Sequence, residues 1–279
     1  MLHDGEKPFP GALNAFESLR GEKVIVVSNS SRRASHAYKR LDAMGFNTSI
    51  IDGVITSGEL AHSAVRDRVQ PFAPAEASKA LHITWNTRGS SGVSLVGLDI
   101  TLTSAEDADF VLVHGCEAVD DGSGLQPIGT IEDIVEKHLR RAVQRDLPAV
   151  VANPDMMTIK DGETIPMPGH VAQRYEELGG IAYRMGKPMP IIYEECARAA
   201  GLSSLVDGNA LGVGDSAEHD VGGAHGVGCP AVFVLNGIHY PELGHSPTDE
   251  QISGVCESKG VGMPEFVLPR FVWDEDEEK

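Results

Sequence analysis

Short apolar runs that end in a polar or glycine turn recur along this chain of 279 residues. Each run is continuous instead of alternating, which is typical of strands buried on both faces of a parallel sheet. Helix-like stretches follow several of the runs, and alternating strands and helices predict an α/β fold. The predicted strands are residues 24–27, 110–113, 149–152, 210–213 and 231–235, and the predicted helices are residues 34–44, 131–144 and 190–200.

The middle of the chain, residues 60–179, differs from the two ends in its residue content and in its predicted elements. It contains Trp85 and a glycine-serine patch at residues 88–92, and it has strand and helix signals of its own. We therefore predict a Rossmann-like parallel sheet core built from residues 1–59 and 180–279. Residues 60–179 are predicted to form an inserted α/β cap domain.

The net charge of the protein is strongly negative, and this charge disfavours several kinds of binding partner. Lys and Arg number 23 against 41 Asp and Glu, which gives a formal net charge of −18. A field of that sign repels nucleic acid and anionic membranes, and no apolar run reaches the roughly 18–20 residues that span a bilayer. The field also repels phosphorylated ligands, so a phosphate site must be local: a helix N terminus, a lysine or a metal ion. Part of the charge lies in an acidic C-terminal tail, residues 274–278, which we interpret as a solubilising end.

The cysteines and the first residues indicate the compartment. The four cysteines are far apart and form no CxxC pair, which predicts reduced thiols. The first residues have neither the basic region nor the apolar core of a signal peptide. We therefore expect a cytoplasmic protein, and the sequence leaves open whether it is a homo-oligomer.

The strand predicted at residues 210–213 delivers Asp215 to the sheet edge, and a second carboxylate, Asp220, follows after a turn. Functional groups gather at the carboxyl ends of strands in such sheets. Mg²⁺ prefers oxygen ligands and accepts one or two protein carboxylates plus waters. The alternative is a structural turn in which Asp215 or Ser216 caps the next helix.

Two further segments carry groups that suit a phosphate. Ser28, Asn29 and Ser30 follow the first predicted strand, where a hydroxyl and the N–H groups of a helix start form an anion cradle; the alternative is a capping turn. Lys187 follows Gly186 and precedes prolines that suit the first turn of a helix. Its ammonium group could offset charge on a transferring phosphoryl group; the alternative is a surface lysine.

Other chemistries find less support in the sequence. The 11 histidines form no HExxH motif and no zinc spacing with cysteine. Residues 214–218 do not make the GxSxG elbow of a serine hydrolase, and the glycines around them do not make a dinucleotide fingerprint.

In this order, the three segments resemble motifs two, three and four of the haloacid-dehalogenase (HAD) phosphatases. An insertion between the second and third motifs is similar to that of the capped, NagD-like branch, class IIA. The resemblance runs over nearly the whole chain, up to about residue 240. Further matches are Leu2-His3-Asp4-Gly5, Pro10-Gly11-Ala12, Ser57-Gly58-Glu59, Asn153-Pro154-Asp155 and Pro168-Gly169.

The resemblance implies a magnesium-dependent phosphatase that hydrolyses a small phosphorylated metabolite through an aspartyl-phosphate. The inserted cap would choose the substrate, with residues 85–91 and 114–117 as candidate specificity elements. The implied site residues are Ser28, Asn29 and Ser30 for substrate binding, Ser28 and Lys187 for catalysis, Asp215 for Mg²⁺, and Asp220 in support of the metal.

One motif of the family has no counterpart in this sequence. The family places a nucleophilic aspartate at the end of a central strand, just before the segment that matches Leu2-His3-Asp4-Gly5. Asp4 lies beyond that turn by the match. We therefore expect the chain as written to hydrolyse phosphate esters barely or not at all, because the covalent step is lost. The missing strand would leave two neighbouring strands with unpaired N–H and C=O groups. The alternative function is a non-catalytic HAD-like binding or regulatory protein.

Overall fold

The computed structural model describes residues 1–86, 93–160, 163–206 and 209–273, so residues 88–92 and the acidic tail lie outside the described residues. The chain forms two compact units. Unit 1 consists of Met1–Val27, Ala37–Ile55 and Lys187–Lys279, and unit 2 consists of Ser28–His36 and Thr56–Gly186. The boundaries of the core and cap drawn from the sequence stay predictions. Across the described ranges, each helix is too short or too polar to cross a bilayer.

The described strands are, in chain order, β1 (Val24–Ser28), β2 (Ile51–Thr56), β3 (Lys79–Thr84), β4 (Thr101–Leu102), β5 (Phe110–Val113), β6 (Ala118–Asp120), β7 (Leu125–Pro127), β8 (Pro148–Val151), β9 (Met157–Lys160), β10 (Glu163–Pro166), β11 (Ile181–Arg184), β12 (Gly212–Gly214), β13 (Ala231–Val234) and β14 (Phe266–Leu268).

The described α-helices are α1 (Ala12–Glu17), α2 (Ala34–Ala43), α3 (Ser57–Arg66), α4 (Ile131–Ile134), α5 (Arg140–Gln144), α6 (Pro168–Glu177), α7 (Pro190–Ala200), α8 (Gly222–Gly226), α9 (Tyr240–Leu243) and α10 (Asp249–Ser258). A 3₁₀ turn covers Thr48–Ile50, and π-helical turns cover Val135–Leu139 and Ala217–Val221.

Unit 2 contains a seven-stranded sheet with β3 near its centre. Strands β11, β8, β5 and β3 pair in that order and are all parallel. On the other side of β3, β4 pairs with its first residues and β6 pairs antiparallel with its last, followed by β7. All four residues of β5 are buried, which is the burial predicted for a strand covered on both faces.

The helices of unit 2 bury one apolar face each. The helix predicted at residues 131–144 is confirmed, although a π-helical turn separates α4 from α5. It begins at Thr130, whose hydroxyl accepts the Asp133 N–H at 3.1 Å and so satisfies one of the free N–H groups of the first turn. Its buried stripe includes Ile134, Val135 and Leu139, which belong to the core formed with the sheet.

Unit 1 carries two small sheets where we predicted one. Strands β1 and β2 form the first sheet, and the parallel strands β12, β13 and β14 form the second. The α/β class is confirmed, but within the described ranges β1 pairs only with β2, and β12 pairs only with β13. Among the described residues, each therefore has one edge without a strand partner.

Strand β1, which has one described partner, is also less buried than β13, which has two. All four residues of β13 are buried, whereas in β1 only Val24 is buried and the next four residues are half-buried. The predicted strand at residues 210–213 is shifted and begins at Gly212, because its pairing with β13 starts where Gly212 faces Ala231. Helix α7 was predicted with its observed bounds.

Candidate active site

The parallel pair of β12 and β13 brings two turns to the same edge of unit 1. Gly214 lies opposite Phe233, so the segment that begins with Asp215 and the segment at residues 236–239 leave the sheet side by side. The Ile238 N–H donates to Oδ2 of Asp215 at 3.3 Å. Asp215 therefore stands at the carboxyl end of a parallel strand, where the sequence placed it.

Lys187 and Asp220 form an ion pair at this edge. The Lys187 Nζ lies 2.6 Å from Oδ1 of Asp220, and the two side chains are only 16% and 14% exposed. Helix α7 begins three residues after Lys187 and fixes the backbone that carries it. The interpretation of Lys187 as an ordinary surface lysine is therefore wrong.

Asp220 is also tied to the turn that contains Asp215. Its Oδ2 accepts the N–H groups of Asp215 at 3.0 Å and Ser216 at 2.9 Å. Burial alone would raise the pKa of Asp220, but the Lys187 ammonium and the Ser216 N–H outweigh it and lower the pKa below its usual value. Asp220 is thus a carboxylate that neutralises Lys187 and shapes the turn. A Cβ on Gly214 would lie 2.1 Å from Cγ of Asp220, so glycine is required where the two approach.

The Asp215 carboxylate is partly open, at 21% exposure. Its Oδ2 lies 3.0 Å from the Met1 amino nitrogen. A Cβ on Gly237 would lie 2.1 Å from the same oxygen, so the backbone after β13 passes directly against this carboxylate. Ser216, and not Asp215, caps the following π-helical turn, because its Oγ accepts the His219 N–H at 3.0 Å. The capping alternative therefore applies to Ser216 and leaves Asp215 for another role.

These donors fit a hard divalent cation of the magnesium type. Mg²⁺ uses one or two carboxylates and keeps several waters, and Asp215 offers a carboxylate beside a fixed backbone. In the parts of the chain that are described, His, Cys, Asp and Glu form no group of three or more that could hold a metal ion. The arrangement thus suits a cation completed by water and a ligand oxygen, and it does not suit a closed protein cage.

The predicted phosphate-binding residues Ser28, Asn29 and Ser30 belong to unit 2. The Ser28 Oγ accepts the Ser30 N–H at 3.2 Å, and the Ser30 Oγ accepts the Arg32 N–H at 3.3 Å. Asn29 is buried, at 8% exposure. The segment therefore forms a tight polar turn in which each of two serine hydroxyls accepts a backbone N–H.

The orientation of the Asn29 amide is fixed by its neighbours in unit 2. Its Nδ2 donates to Oδ1 of Asp155 at 2.8 Å, and the Asp155 N–H donates to Oδ1 of Asn153 at 2.8 Å. The fully buried Ser57 hydroxyl lies 3.5 Å from Oδ1 of Asn29. A Cβ on Gly186 would lie 2.2 Å from that hydroxyl. Two of the family matches, at residues 57–59 and 153–155, therefore lie around Asn29.

One N–H group at the N terminus of α2, where we predicted an anion cradle, is already bound by a side chain. The Ala34 N–H donates to Oε2 of Glu59 at 3.0 Å, and the Arg33 guanidinium binds the same carboxylate through two hydrogen bonds of 2.8 and 2.7 Å. A side chain of the protein already supplies the anion that a helix N terminus favours. A Cβ on Gly58 would lie 2.0 Å from the Ser31 carbonyl oxygen, which explains the glycine before Glu59.

Three residues of the two proposed specificity elements of the cap are buried. His114 is 2% exposed, and its Nδ1 lies 3.0 Å from Nε2 of His82. Cys116 is also buried, and Trp85 is 6% exposed, with its Nε1 donating to Oγ of Ser31 at 3.1 Å. Asn86 is exposed and Glu117 is half-buried, whereas residues 87–91 lie outside the described residues. The role of the two elements in substrate choice stays a prediction.

Sequence reasoning missed one group at the Asp215 edge, His239. Its ring is 6% exposed, and its Nε2 accepts the Ala217 N–H at 3.2 Å. The available signal was its place just after a predicted strand that ends in Asn-Gly. The sequence could not reveal that β13 is the neighbour of β12, because strand order is a long-range property.

Comparison with known proteins defines the class. Residues 1–88 match the family model of haloacid dehalogenase-like hydrolases, and residues 184–258 match a HAD-hydrolase-like model. Together the two models cover more than half of the chain. These two matches place the protein among the hydrolases. It belongs to the haloacid dehalogenase-like hydrolase family.

Individual relatives agree with this assignment. The chain is 26% identical over 236 residues to a D-glycerol 3-phosphate phosphatase of Mycobacterium tuberculosis, which covers 84% of this chain but only 60% of that relative's length. It matches a haloacid dehalogenase-like hydrolase from Brucella suis at 28% identity and a TM-score of 0.72, over 97% of this chain and 92% of the other.

Two more distant solved structures share the fold. NagD from E. coli gives a TM-score of 0.62 at 17% identity, over 99% of this chain and 94% of the other. A glycerol phosphate phosphatase from M. tuberculosis in complex with magnesium gives 0.61 at 22% identity, over 85% of this chain and 65% of the other. The fold is thus that of the capped, NagD-like branch.

Proposed function

We propose that this protein is a magnesium-dependent phosphatase that hydrolyses a small phosphate monoester through an aspartyl-phosphate. Asp215 ligates the cation, and Lys187 neutralises charge on the reacting groups. Ser28 binds the phosphoryl group, with Asn29 and Ser30 shaping that position. The inserted domain selects the substrate.

The observation that carries this proposal is the turn after β12. It holds a half-open carboxylate, Asp215, on a backbone that is fixed by the buried Lys187–Asp220 pair. A preorganised cation and metal ligand stabilise charge that develops during phosphoryl transfer, and they need no reorganisation when it does. Binding proteins do not require a buried lysine–aspartate pair that fixes the turn of a metal carboxylate, so this feature favours catalysis over the non-catalytic alternative.

The substrate class follows from charge and from the relatives. A net charge of −18 repels large polyanions, so a small monoester attracted by a local cation is the substrate that fits best. The M. tuberculosis relative is named for D-glycerol 3-phosphate, and we propose that substrate, together with generic aryl phosphates, as the first to be assayed.

The nucleophile is proposed to come from the strand that the family places directly before Leu2. Asp4 is unsuited to the role, since its Oδ1 accepts the N–H groups of Glu6 and Lys7, both at 2.8 Å, and builds an exposed turn. Two features support an added strand. The edges of β1 and β12 that have no partner among the described strands can accept one, and Met1 lies beside Asp215, at the carboxyl end of β12.

The test compares the 279-residue chain with the same chain preceded by an apolar strand that ends in aspartate. Both are assayed on p-nitrophenyl phosphate and glycerol 3-phosphate with Mg²⁺. We expect the longer form to turn over, and Lys187→Met and Asp215→Asn to lower its kcat roughly 10²–10³-fold. Asp4→Asn is the matched carboxylate control and should leave kcat unchanged.

Three outcomes would contradict parts of this proposal. Turnover by the short form that Asp4→Asn abolishes would make Asp4 the nucleophile. Equal inactivity of both folded forms, with retained binding of a phosphate ester, would favour the non-catalytic alternative. Unchanged Mg²⁺ affinity in Asp215→Asn, measured by calorimetry, would remove Asp215 from the metal site.

A further inference from the structure

The segment that follows β13 is built against the Asp215 turn. The Ile238 N–H reaches Oδ2 of Asp215 at 3.3 Å, and the space at Gly237 admits no Cβ. The next residue, His239, leaves the sheet edge with its ring only 6% exposed. Because this ring is buried beside a proposed metal ligand, its two nitrogens need hydrogen-bond partners within the protein.

The contacts of His239 define its tautomer. Its Nε2 lies 3.2 Å from the Ala217 nitrogen, and a backbone N–H can only donate. Nε2 is therefore the unprotonated acceptor, and Nδ1 carries the hydrogen and faces the carboxylate of Glu242. The ring also packs edge-on against Phe233, with centroids 5.6 Å apart, so its position is fixed by packing as well as by polar contacts.

The Ala217 N–H completes a set of satisfied donors around the turn. Asp220 accepts from residues 215 and 216, and Ser216 accepts from residue 219. These acceptors come from the turn itself. His239 is different, because it lies in the segment that follows β13 and ties the turn to that segment. Without it, the first N–H of the π-helical turn would be buried without a partner, which is costly.

We propose that His239 is a positioning residue for the metal site. It holds the Asp215-Ser216-Ala217 backbone so that the Asp215 carboxylate keeps its direction, and it touches neither substrate nor cation. This inference rests on the proposed role of Asp215 as a Mg²⁺ ligand. Outer partners that orient a metal ligand commonly change metal affinity by about 10–100-fold when removed.

The experiment compares three substitutions of nearly matched size in the 279-residue chain. In His239→Gln, the Oε1 oxygen can take the place of Nε2 as acceptor. His239→Leu offers no acceptor, and in His239→Asn the oxygen is too short to reach the Ala217 N–H. Thermal melts establish folding, hydrogen exchange measures protection of the Ala217 amide, and calorimetry measures affinity for Mg²⁺ alone.

We expect His239→Leu and His239→Asn to speed exchange of the Ala217 amide and to weaken Mg²⁺ binding about tenfold. His239→Gln should restore most of both. If the folded Leu and Asn variants keep Mg²⁺ affinity within about twofold and keep the amide protected, the positioning role is refuted. If His239→Leu does not fold, the Asn and Gln variants decide between the two results.

The failure of this inference is distinguishable from failure of the proposed function. Should Asp215→Asn bind Mg²⁺ as well as the original chain, the metal assignment falls, and with it the link from His239 to the cation. The exchange rate at Ala217 would still show whether His239 holds the turn. Should Asp215→Asn lose Mg²⁺ while the His239 variants do not, only the positioning role falls.

Discussion

The sheets of the two units differ in completeness. In unit 2, β5 lies between two parallel neighbours and all its residues are buried. In the described part of unit 1, β1 and β12 each pair on one edge only, and most residues of β1 are half-buried although its first four residues are all apolar. An apolar run is therefore no guarantee of burial, because burial depends on which strands and helices lie against it.

The difference between the two sheets indicates that the two units are stabilised by different interactions. Unit 2 has a continuous core of fully buried aliphatic and aromatic side chains around its sheet. The smaller core of unit 1 around β1 includes Ala12, Phe16, Val24, Leu41 and Phe46. Unit 1 also relies on polar ties such as the Lys187–Asp220 pair. Substitutions in the two units should therefore have different effects, and four predictions follow from the largest to the smallest.

The Lys187–Asp220 pair should give the largest effect. Lys187→Met leaves a carboxylate buried without its cation, and we expect unfolding free energy to fall by about 3 kcal/mol. Denaturant titration measures this loss, and adding Asp220→Asn should make the combined loss smaller than the sum. The exposed pair Lys23–Asp52, 3.9 Å apart, is the control, and Lys23→Met should change stability by about 0.5 kcal/mol or less. Equal losses would show that unit 1 does not depend on the buried pair.

A pair of valines, one in each sheet, tests whether the strands of the two sheets are buried to different extents. Val111 in β5 is fully buried, and Val111→Ala should cost about 2–3 kcal/mol, since it removes two methyl groups and leaves a cavity. Val26 in β1 is half-buried, so Val26→Ala should cost about 1 kcal/mol. Denaturation combined with hydrogen exchange assigns each loss to its unit. A larger loss at Val26 would mean that β1 is covered in solution by something else.

The buried histidines of unit 2 should make it sensitive to acid. Burial lowers the pKa of His82 to about 4 and also lowers that of His114. The unfolded chain, with an ordinary histidine pKa near 6.5, binds more protons between pH 6.5 and 4. The contribution of neutral His82 to the free energy of unfolding is therefore fully present above pH 6.5. It is lost as the pH falls, and the free energy of unfolding drops by about 2 kcal/mol between pH 7 and 5.

Melts at pH 7 and 5 measure this acid sensitivity. His82→Gln should reduce the difference between the two melts, because glutamine does not titrate. His245→Gln, on the surface of unit 1 beside Tyr240, is the control and should leave the difference as it is in the original chain. A difference that survives in His82→Gln at full size would assign the acid sensitivity to other groups.

The smallest effect is expected at Glu59. The hydrogen bonds from Arg33 lower the pKa of its carboxyl, and the pair is partly exposed, at 24% and 30%. Glu59→Gln weakens these charge-assisted bonds and should cost about 1 kcal/mol by denaturant titration. Glu136→Gln, which breaks a helical pair with Arg140 at the surface, should leave stability unchanged within error. A loss at Glu59 as large as that at Lys187 would show that both units rely on ion pairs equally.

Much of the local structure could be predicted because its signals are local. Helix α7 was predicted at its observed bounds, and α2 differs from its prediction by one residue at the end. Strands β5 and β13 were found from continuous apolar runs. By contrast, β3 and β11 were missed, since neither is a run of purely apolar residues.

The candidate site was predicted only in part. Asp215 and Lys187 could be found because each follows or precedes an element with a clear signal. Their partners could not, because Lys187 meets Asp220 across 33 positions and Asn29 meets Asp155 across 126. The same holds for Glu59, which accepts the Ala34 N–H at the start of α2 across 25 positions.

The sequence by itself determined the α/β class, the family and the residue types at the strand ends. Apolar periodicity and short motifs depend on neighbours within one turn or strand, so they can be read without a fold. Only the tertiary structure decided that Asp220 neutralises Lys187, that His239 holds the Asp215 turn and that β1 and β12 each pair on one edge among the described strands. Those facts depend on strand order and on which distant side chains the chain path brings within hydrogen-bond distance.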